Sequence, residues 1–518
     1  MSAHRASVWL AAAAVVMAGC AAEVAVTAER ADQIAVVVPP VVDRDAGSST
    51  EPDDPPTSDP ANTSPPDPTT TPGSVIDDTA IDFGPDKPPK AYDDFLLAVL
   101  TDLELWWSEQ YPAIYGTPFE PLQGAVYAAY PGRPDDLPGC GAPSTSYEDV
   151  QQFVAFYCGV GDFIVYDDGD DGLLAELARE FGAGTIGTVL AHEYAHAIQL
   201  RFGALDRALP TILTEQQADC LAGAWTGRAA RGEASTVRYS DGDVRAGLIA
   251  MTKVADPVGI DQFTMGGHGS GFDRVGAFQV GFLEGPARCA EILDEPLPLT
   301  PNLLFDNEVL TGGDAPFGYG EDELIGFLPE DLNDFWDVEL ADRFPALGPL
   351  RLTVVRSLDD VDCSDLRGDL ERGTALCVPT DRVYFFEPAA LELYRTFGDF
   401  SVGYLLGKAW GEAVQESIGS DLEGEERVLL NDCLTGAWVK TVTPVETGDP
   451  LQPFELPQPR LEERTVTVSA GDLDEAIQTV LLIADLDADD DVIGNAFEKI
   501  DALRTGVIDG LDACLADD

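Results

Sequence analysis

Histidine is scarce in this chain: four occur among 518 residues, at positions 4, 192, 196 and 268. Basic residues are also few, with 30 Lys and Arg against 93 Asp and Glu, for a formal net charge of −63. That balance argues against nucleic acid and anionic lipid as charge-selected partners, because both reward a basic surface. The acidity reads more simply as a solubility feature. Long apolar runs are missing after the first twenty residues, so no later segment is expected to span a bilayer. Bulky apolar residues nearly vanish from Val38 to Lys90, in stretches such as TEPDDPPTSDPANTSPPDPTTTPGS. Such a composition cannot bury enough surface to offset its ordering entropy.

What is present begins with an address. MSAHRASVWLAAAAVVMAGCAAE has a short basic start, an apolar run and small residues, the layout of an export signal. Met17-Ala18-Gly19-Cys20 resembles a bacterial lipobox, with Cys20 as the lipidated residue; an ordinary signal peptide with an incidental cysteine is the alternative. Residues 1–20 are therefore expected to be a lipoprotein signal peptide and 21–90 a disordered Pro/Thr/Asp-rich linker. The expected location is outside the cytoplasm, lipid-anchored to the outer face of the cell membrane.

Two of the remaining three histidines fall in HEYAH, an HExxH pattern. Apolar residues around it recur at helical spacing, and Gly203 supplies a stop. On a helix, residues four apart share a face, so His192 and His196 can aim at one metal ion with Glu193 beside the open position. Downstream, ILTEQQADCLAGAW is again helical in pattern, with Glu215 and Asp219 one turn apart. A solvated acidic face is the plain alternative for that pair. His268 lies in GGHGSG ahead of Arg274, either a structural histidine at a turn or a donor aimed at a developing oxyanion.

With HEYAHAIQ, EQQADCLAGAW and HGSGFDR in this order, residues from about 92 to 294 resemble the predicted neutral zinc metallopeptidases of bacteria. Cys140, Tyr157-Cys158, the strand FIVYDD and the SDGD segment fit the same pattern, while Ala197 stands where that family often has another histidine. The resemblance implies an α+β, zincin-like fold, mainly helical with a small sheet. It further implies Zn2+ held by His192, His196 and Glu215, with Asp219 orienting one imidazole. Glu193 is then the general base and His268 steadies the oxyanion, while Arg274 is grouped with Asp219 as support around the ligands and as a candidate helper of His268. The implied partner is a peptide or protein substrate, with FIVYDD a candidate for pairing to it at a sheet edge.

The stretch LGKAWGEAVQ at 406–415 repeats LAHEYAHAIQ at 190–199, and the match extends outward. NDCLTGAW repeats ADCLAGAW, SAGDLDEAI repeats SDGDVRAGL, and GVIDGLDAC repeats GFLEGPARC. Several blocks in one order indicate a tandem duplication. Residues 91–316 then form the zinc metallopeptidase domain and 317–518 a degenerate copy packed against it. In the second copy Lys408, Ala409 and Glu412 replace His192, Glu193 and His196, and Val428 falls at Glu215. Lys408 and Glu412 are expected either to pair across the vacated site or to be a plain surface pair. Eight cysteines at corresponding places favour equivalent bridges in each copy: Cys140–Cys158, Cys220–Cys289, Cys363–Cys377 and Cys433–Cys514. A second functional class stays open, a non-catalytic binding or scaffolding lipoprotein of the cell envelope.

Overall fold

The computed structural model describes residues 17–19, 69–71, 73–133, 137–151, 153–207, 209–256, 266–300, 318–320, 323–341, 347–442, 470–487 and 492–516. Cys20 and most of the expected linker lie outside the described residues. The linker expectation reaches too far, because its last part is packed. Ile81 is buried, Ile81–Asp82 pair with a strand of the main sheet, and Lys87 bridges Asp93 and Asp168.

A first series of elements starts with helix α1, Asp93–Tyr115. Asp93 and Asp94 lie in its first turn, where the helix dipole favours negative charge, and it stops at Gly116 in the left-handed region, φ 73°. Three strands follow, β1 Val126–Ala129, β2 Ala155–Cys158 and β3 Phe163–Asp167. β3 runs parallel to β1 and antiparallel to β2, so it lies between them. The expectation that FIVYDD offers an open edge is therefore wrong: its hydrogen-bonding groups face partners on both sides. β2 carries Met17–Gly19 as an antiparallel neighbour on its other side.

Helices α2 Leu173–Phe181, α3 Gly184–Phe202, α4 Thr211–Ala230, α5 Asp241–Lys253 and α6 Gly271–Glu284 complete the series. α3 and α4 are buried nearly all round, which explains why polar residues on them must find partners inside the protein. α4 and α6 touch backbone to backbone. A Cβ on Gly223 would fall 1.9 Å from the Phe278 carbonyl oxygen, and one on Gly281 would fall 1.7 Å from that of Cys220.

A second series comprises α7 Leu324–Leu340, β4 Arg351–Val355, β5 Leu366–Asp369, β6 Thr374–Cys377, β7 Arg382–Phe386, α8 Glu387–Thr396, α9 Phe400–Ile418, α10 Gly424–Val442, α11 Ala470–Asp487 and α12 Val492–Asp509. β4 is parallel to β7 and β6 antiparallel to it, as in the first sheet. Individual bonds recur as well. Trp225 Nε1 donates to Asp102 at 3.0 Å and Trp438 Nε1 to Asp331 at 2.9 Å. Gln199 Nε2 donates to the Thr214 carbonyl and Gln415 Nε2 to that of Arg427, both at 2.7 Å. The close glycine contact recurs at Gly436 and Gly506. Disulfides join Cys140 to Cys158, Cys220 to Cys289, Cys363 to Cys377 and Cys433 to Cys514. The protein is mainly helical with small open sheets.

The two series meet through equivalent helices: α5 and α6 of the first pack on α11 and α12 of the second. Gln279 Nε2 donates to the Phe497 carbonyl, and Arg504 Nη1 donates to the Phe272 carbonyl. Phe272 corresponds to Phe497 and Gln279 to Arg504, so these bonds are reciprocal. Among the described residues, no helix is long and apolar enough to cross a membrane.

Candidate metal centre

His192 and His196 project from α3 one turn apart, with their rings perpendicular and centroids 4.8 Å apart. Glu215 comes from α4, which crosses beside them. The His192 Nε2 lies 3.2 Å from Glu215 Oε2, and the His196 Nε2 lies 3.5 Å from Glu215 Oε1. All three side chains are buried.

The remaining nitrogens fix the tautomers. His192 Nδ1 lies 2.7 Å from Asp219 Oδ1, and an ionised carboxylate only accepts, so this nitrogen carries the proton. His196 Nδ1 lies 2.8 Å from Gln199 Oε1; the Gln199 amide donates to the Thr214 carbonyl and to Gln217, which leaves its oxygen to accept. Both Nε2 atoms therefore present lone pairs to each other at 3.2 Å. Two facing lone pairs repel unless a cation lies between them. Nitrogens on a tetrahedral zinc, with bonds of about 2.0–2.1 Å, stand about 3.3 Å apart. Among the described residues, neither Glu215 carboxylate oxygen accepts a hydrogen bond, although both are buried. The donor set fits the metal that the spacing predicts.

Asp219 orients His192 rather than His196, and Gln199 holds the second imidazole. Arg274 grips Asp219 with two parallel bonds, Nε to Oδ2 at 2.9 Å and Nη2 to Oδ1 at 2.8 Å. Its third nitrogen donates to the Val254 carbonyl at 2.6 Å. Burial alone would raise the Asp219 carboxyl, but Arg274 and His192 bring it below its ordinary value. Arg274 is buried and turned to Asp219, so its contacts support a ligand's orientation and are not aimed at an oxyanion beside His268.

Glu193 lies wholly buried on α3 between the two histidines in sequence. His268 approaches from the loop before α6, with Nε2 3.9 Å from Glu215 Oε2. Its Nδ1 is 3.1 Å from Asp256 Oδ1, and Asp256 Oδ2 accepts from the backbone amides of His268 and Gly269 at 2.6 and 2.9 Å. A turn histidine and a site histidine are thus the same residue. Asp256, Gln199 and Gln217 were not singled out from sequence; Gln199 alone left a trace, as a position shared with Gln415.

Among the described residues, the matching region of the second series holds no such donor set. Lys408 Nζ lies 3.5 Å from Asp432 Oδ1, which also accepts from Tyr404 at 2.6 Å. Glu412 instead accepts from Arg427 Nε at 2.8 Å and from Asn431 at 2.7 Å. The expected Lys408–Glu412 pair is therefore absent, because each side chain finds a better partner on α10. Lys499, at the place of Arg274, is buried and attracted to Asp432, so the carboxylate and its cation persist where the ligands are gone. A separate buried group, Asp399, Asp472 and Glu475, brings three carboxylates together without a histidine.

The first cluster is a zinc-metallopeptidase donor set. It gives the chain the ligand geometry of a zinc hydrolase. No family model matches the chain, and no solved structure matches it. It is similar to uncharacterized proteins of Mycobacterium bovis and Mycobacterium tuberculosis, each 34% identical over 170 residues that cover 28% of this chain and 55% of the relative. The chain thus spans about half the length of the curated relatives it matches.

Proposed function

We propose that this chain is an exported, lipid-anchored zinc metallopeptidase, zincin-like in its first copy and duplicated into a second copy that has lost catalysis. The observation that carries the reading is the pair of Nε2 atoms 3.2 Å apart, each with its other nitrogen already committed, facing the Glu215 carboxylate. Zinc, when bound by His192, His196 and Glu215, supplies Lewis acidity and an activated water. Glu193 takes the proton of the attacking water on its carboxylate and passes it to the leaving amine nitrogen. His268, held at Nδ1 by Asp256, points its Nε2 toward the cluster; as an imidazolium, the form in which both ring nitrogens carry protons, it donates from Nε2 to the carbonyl oxygen as negative charge develops there. Asp219 and Arg274 keep the His192 ring oriented.

The lipid anchor rests on the Met17-Ala18-Gly19-Cys20 pattern, and export on the sequence ahead of it. Metal analysis of the purified full chain, paired with Glu193→Gln, tests the peptidase reading. One zinc per chain is expected in both proteins, with peptide-library cleavage only in the wild type. Wild-type protein that takes up no zinc would sink the reading. Bound zinc with no cleavage of any library peptide would shift it to the envelope-binding alternative, which a second copy with Lys408 and Glu412 in place of the two histidines makes concrete.

A further inference from the structure

The first turn of α6 is held from outside its own series. Its backbone amides at Gly271 and Phe272 donate to Asp474 of α11, at 2.9 Å to Oδ2 and 2.7 Å to Oδ1. These are amides that a helix start leaves without partners, and a carboxylate there also meets the positive end of the helix dipole. The Phe272 carbonyl of the same turn accepts from Arg504 of α12, whose guanidinium lies 4.3 Å from the centre of the Phe272 ring. At Gly276 a Cβ would fall 2.1 Å from that guanidinium, so the absence of a side chain there makes room for it.

This turn is also the joint between two parts of the metal centre. His268 lies three residues before α6, tied to Asp256, with Gly269 in the left-handed region at φ 94°. Arg274 lies one turn inside α6 and clamps Asp219, which holds His192. A shift of the first turn would move both together.

The grip runs one way. The position matching Asp474 in the first series is Arg245, which donates to the Leu481 carbonyl at 3.3 Å and has no carboxylate with which to cap α12. At this pair of matched positions the carboxylate cap therefore runs from the second series to the first.

We propose that Asp474 and Arg504 are positioning residues for the metal centre, through which the degenerate copy fixes where His268 and Arg274 stand. The proposal rests on the zinc peptidase reading for its consequence in catalysis, but not for its geometry.

Two measurements separate the proposal from that reading. In full-length protein labelled with 15N-histidine and kept metal-free, the imidazole signals of His268, assigned with His268→Gln, report its placement directly. Asp474→Ala is expected to shift them, Asp474→Asn to shift them less because one acceptor oxygen remains, and Arg245→Ala to leave them in place. Zinc affinity, measured by chelator competition, is expected to fall about tenfold in Asp474→Ala, the loss typical of disturbing a ligand's support. Arg504→Lys, which keeps the charge but loses the planar fork, is expected to show the same His268 shift.

Unchanged His268 signals in Asp474→Asn and Asp474→Ala would overturn the proposal. So would equal shifts in Arg245→Ala, which would mean general loosening of the contact between the series. If the wild type binds no zinc, the peptidase reading fails while the His268 signals still decide this one.

Discussion

His192 Nδ1, which keeps its proton, lies 2.7 Å from Asp219 Oδ1, and Asp219 is itself clamped by Arg274. The chain of contacts sets the tautomer that a metal needs. Asp219→Asn removes the charge that anchors both neighbours and is expected to weaken zinc binding by about 10- to 100-fold. Competition with a chromogenic chelator measures this, and an unchanged affinity would show that the Asp219 contact is only structural.

His268 is expected to matter for rate and not for metal content. His268→Ala should lower kcat by about 10²- to 10³-fold, the usual cost of losing one oxyanion donor, while zinc stays stoichiometric. Steady-state hydrolysis of a cleaved library peptide, with metal analysis of the same sample, gives both numbers. Loss of zinc in this variant would instead make His268 part of the metal's support.

Much of this centre is legible in the sequence. HEYAH fixes two ligands by helical spacing, and the repeat separates the residues that hold the fold from those that hold the metal. The cysteine pairs follow from the same repeat. What escaped was long-range or conformational. Asp256 meets His268 across a sequence separation of 12 that no helical or strand periodicity predicts, and the sequence gives no direction for the Arg274 side chain, so it leaves open whether Arg274 faces Asp219 or an oxyanion. The repeat also extends further back than the aligned blocks: Asp102, Trp106 and Trp107 of α1 are matched by Asp331, Phe335 and Trp336 of α7. Asp474 and Arg504 act more than 200 residues from their targets. Only packing of the two series brings them there.

Asp273 gives a pH prediction. Burial pushes its carboxyl up from 3.8 to about 6, against the opposing pull of Arg504 and its bonds to Thr300 and Ser270. A carboxyl with a raised folded-state pKa holds its proton more tightly in the folded protein. Stability from this group is therefore full below about pH 4 and is lost as pH rises toward about 6, by at most about 3 kcal/mol. Urea denaturation of wild type and Asp273→Asn at pH 4 and pH 7 should show the variant gaining relative to the wild type at the higher pH. A constant difference would exclude the shifted carboxyl.

The glycine contacts predict a stability cost in the second series. A Cβ on Gly506 would meet the Cys433 carbonyl oxygen at 2.0 Å, and that oxygen belongs to the helix backbone and cannot swing aside. Gly506→Ala is expected to destabilise the protein by about 3 kcal/mol, at the upper end of overpacking costs. Thermal or urea unfolding checks it; a loss under about 0.5 kcal/mol, the usual range for surface changes, would mean that α10 and α12 are free to part.

The reciprocal bonds from Gln279 to Phe497 and from Arg504 to Phe272 have the form of a contact between two identical subunits. Because one polypeptide supplies both sides, the pairing does not depend on protein concentration and survives dilution that would separate a true dimer. It also fixes composition: two equal partners can exchange roles, whereas here every molecule holds one series with the two-histidine, one-glutamate donor set and one series without it, in a set ratio.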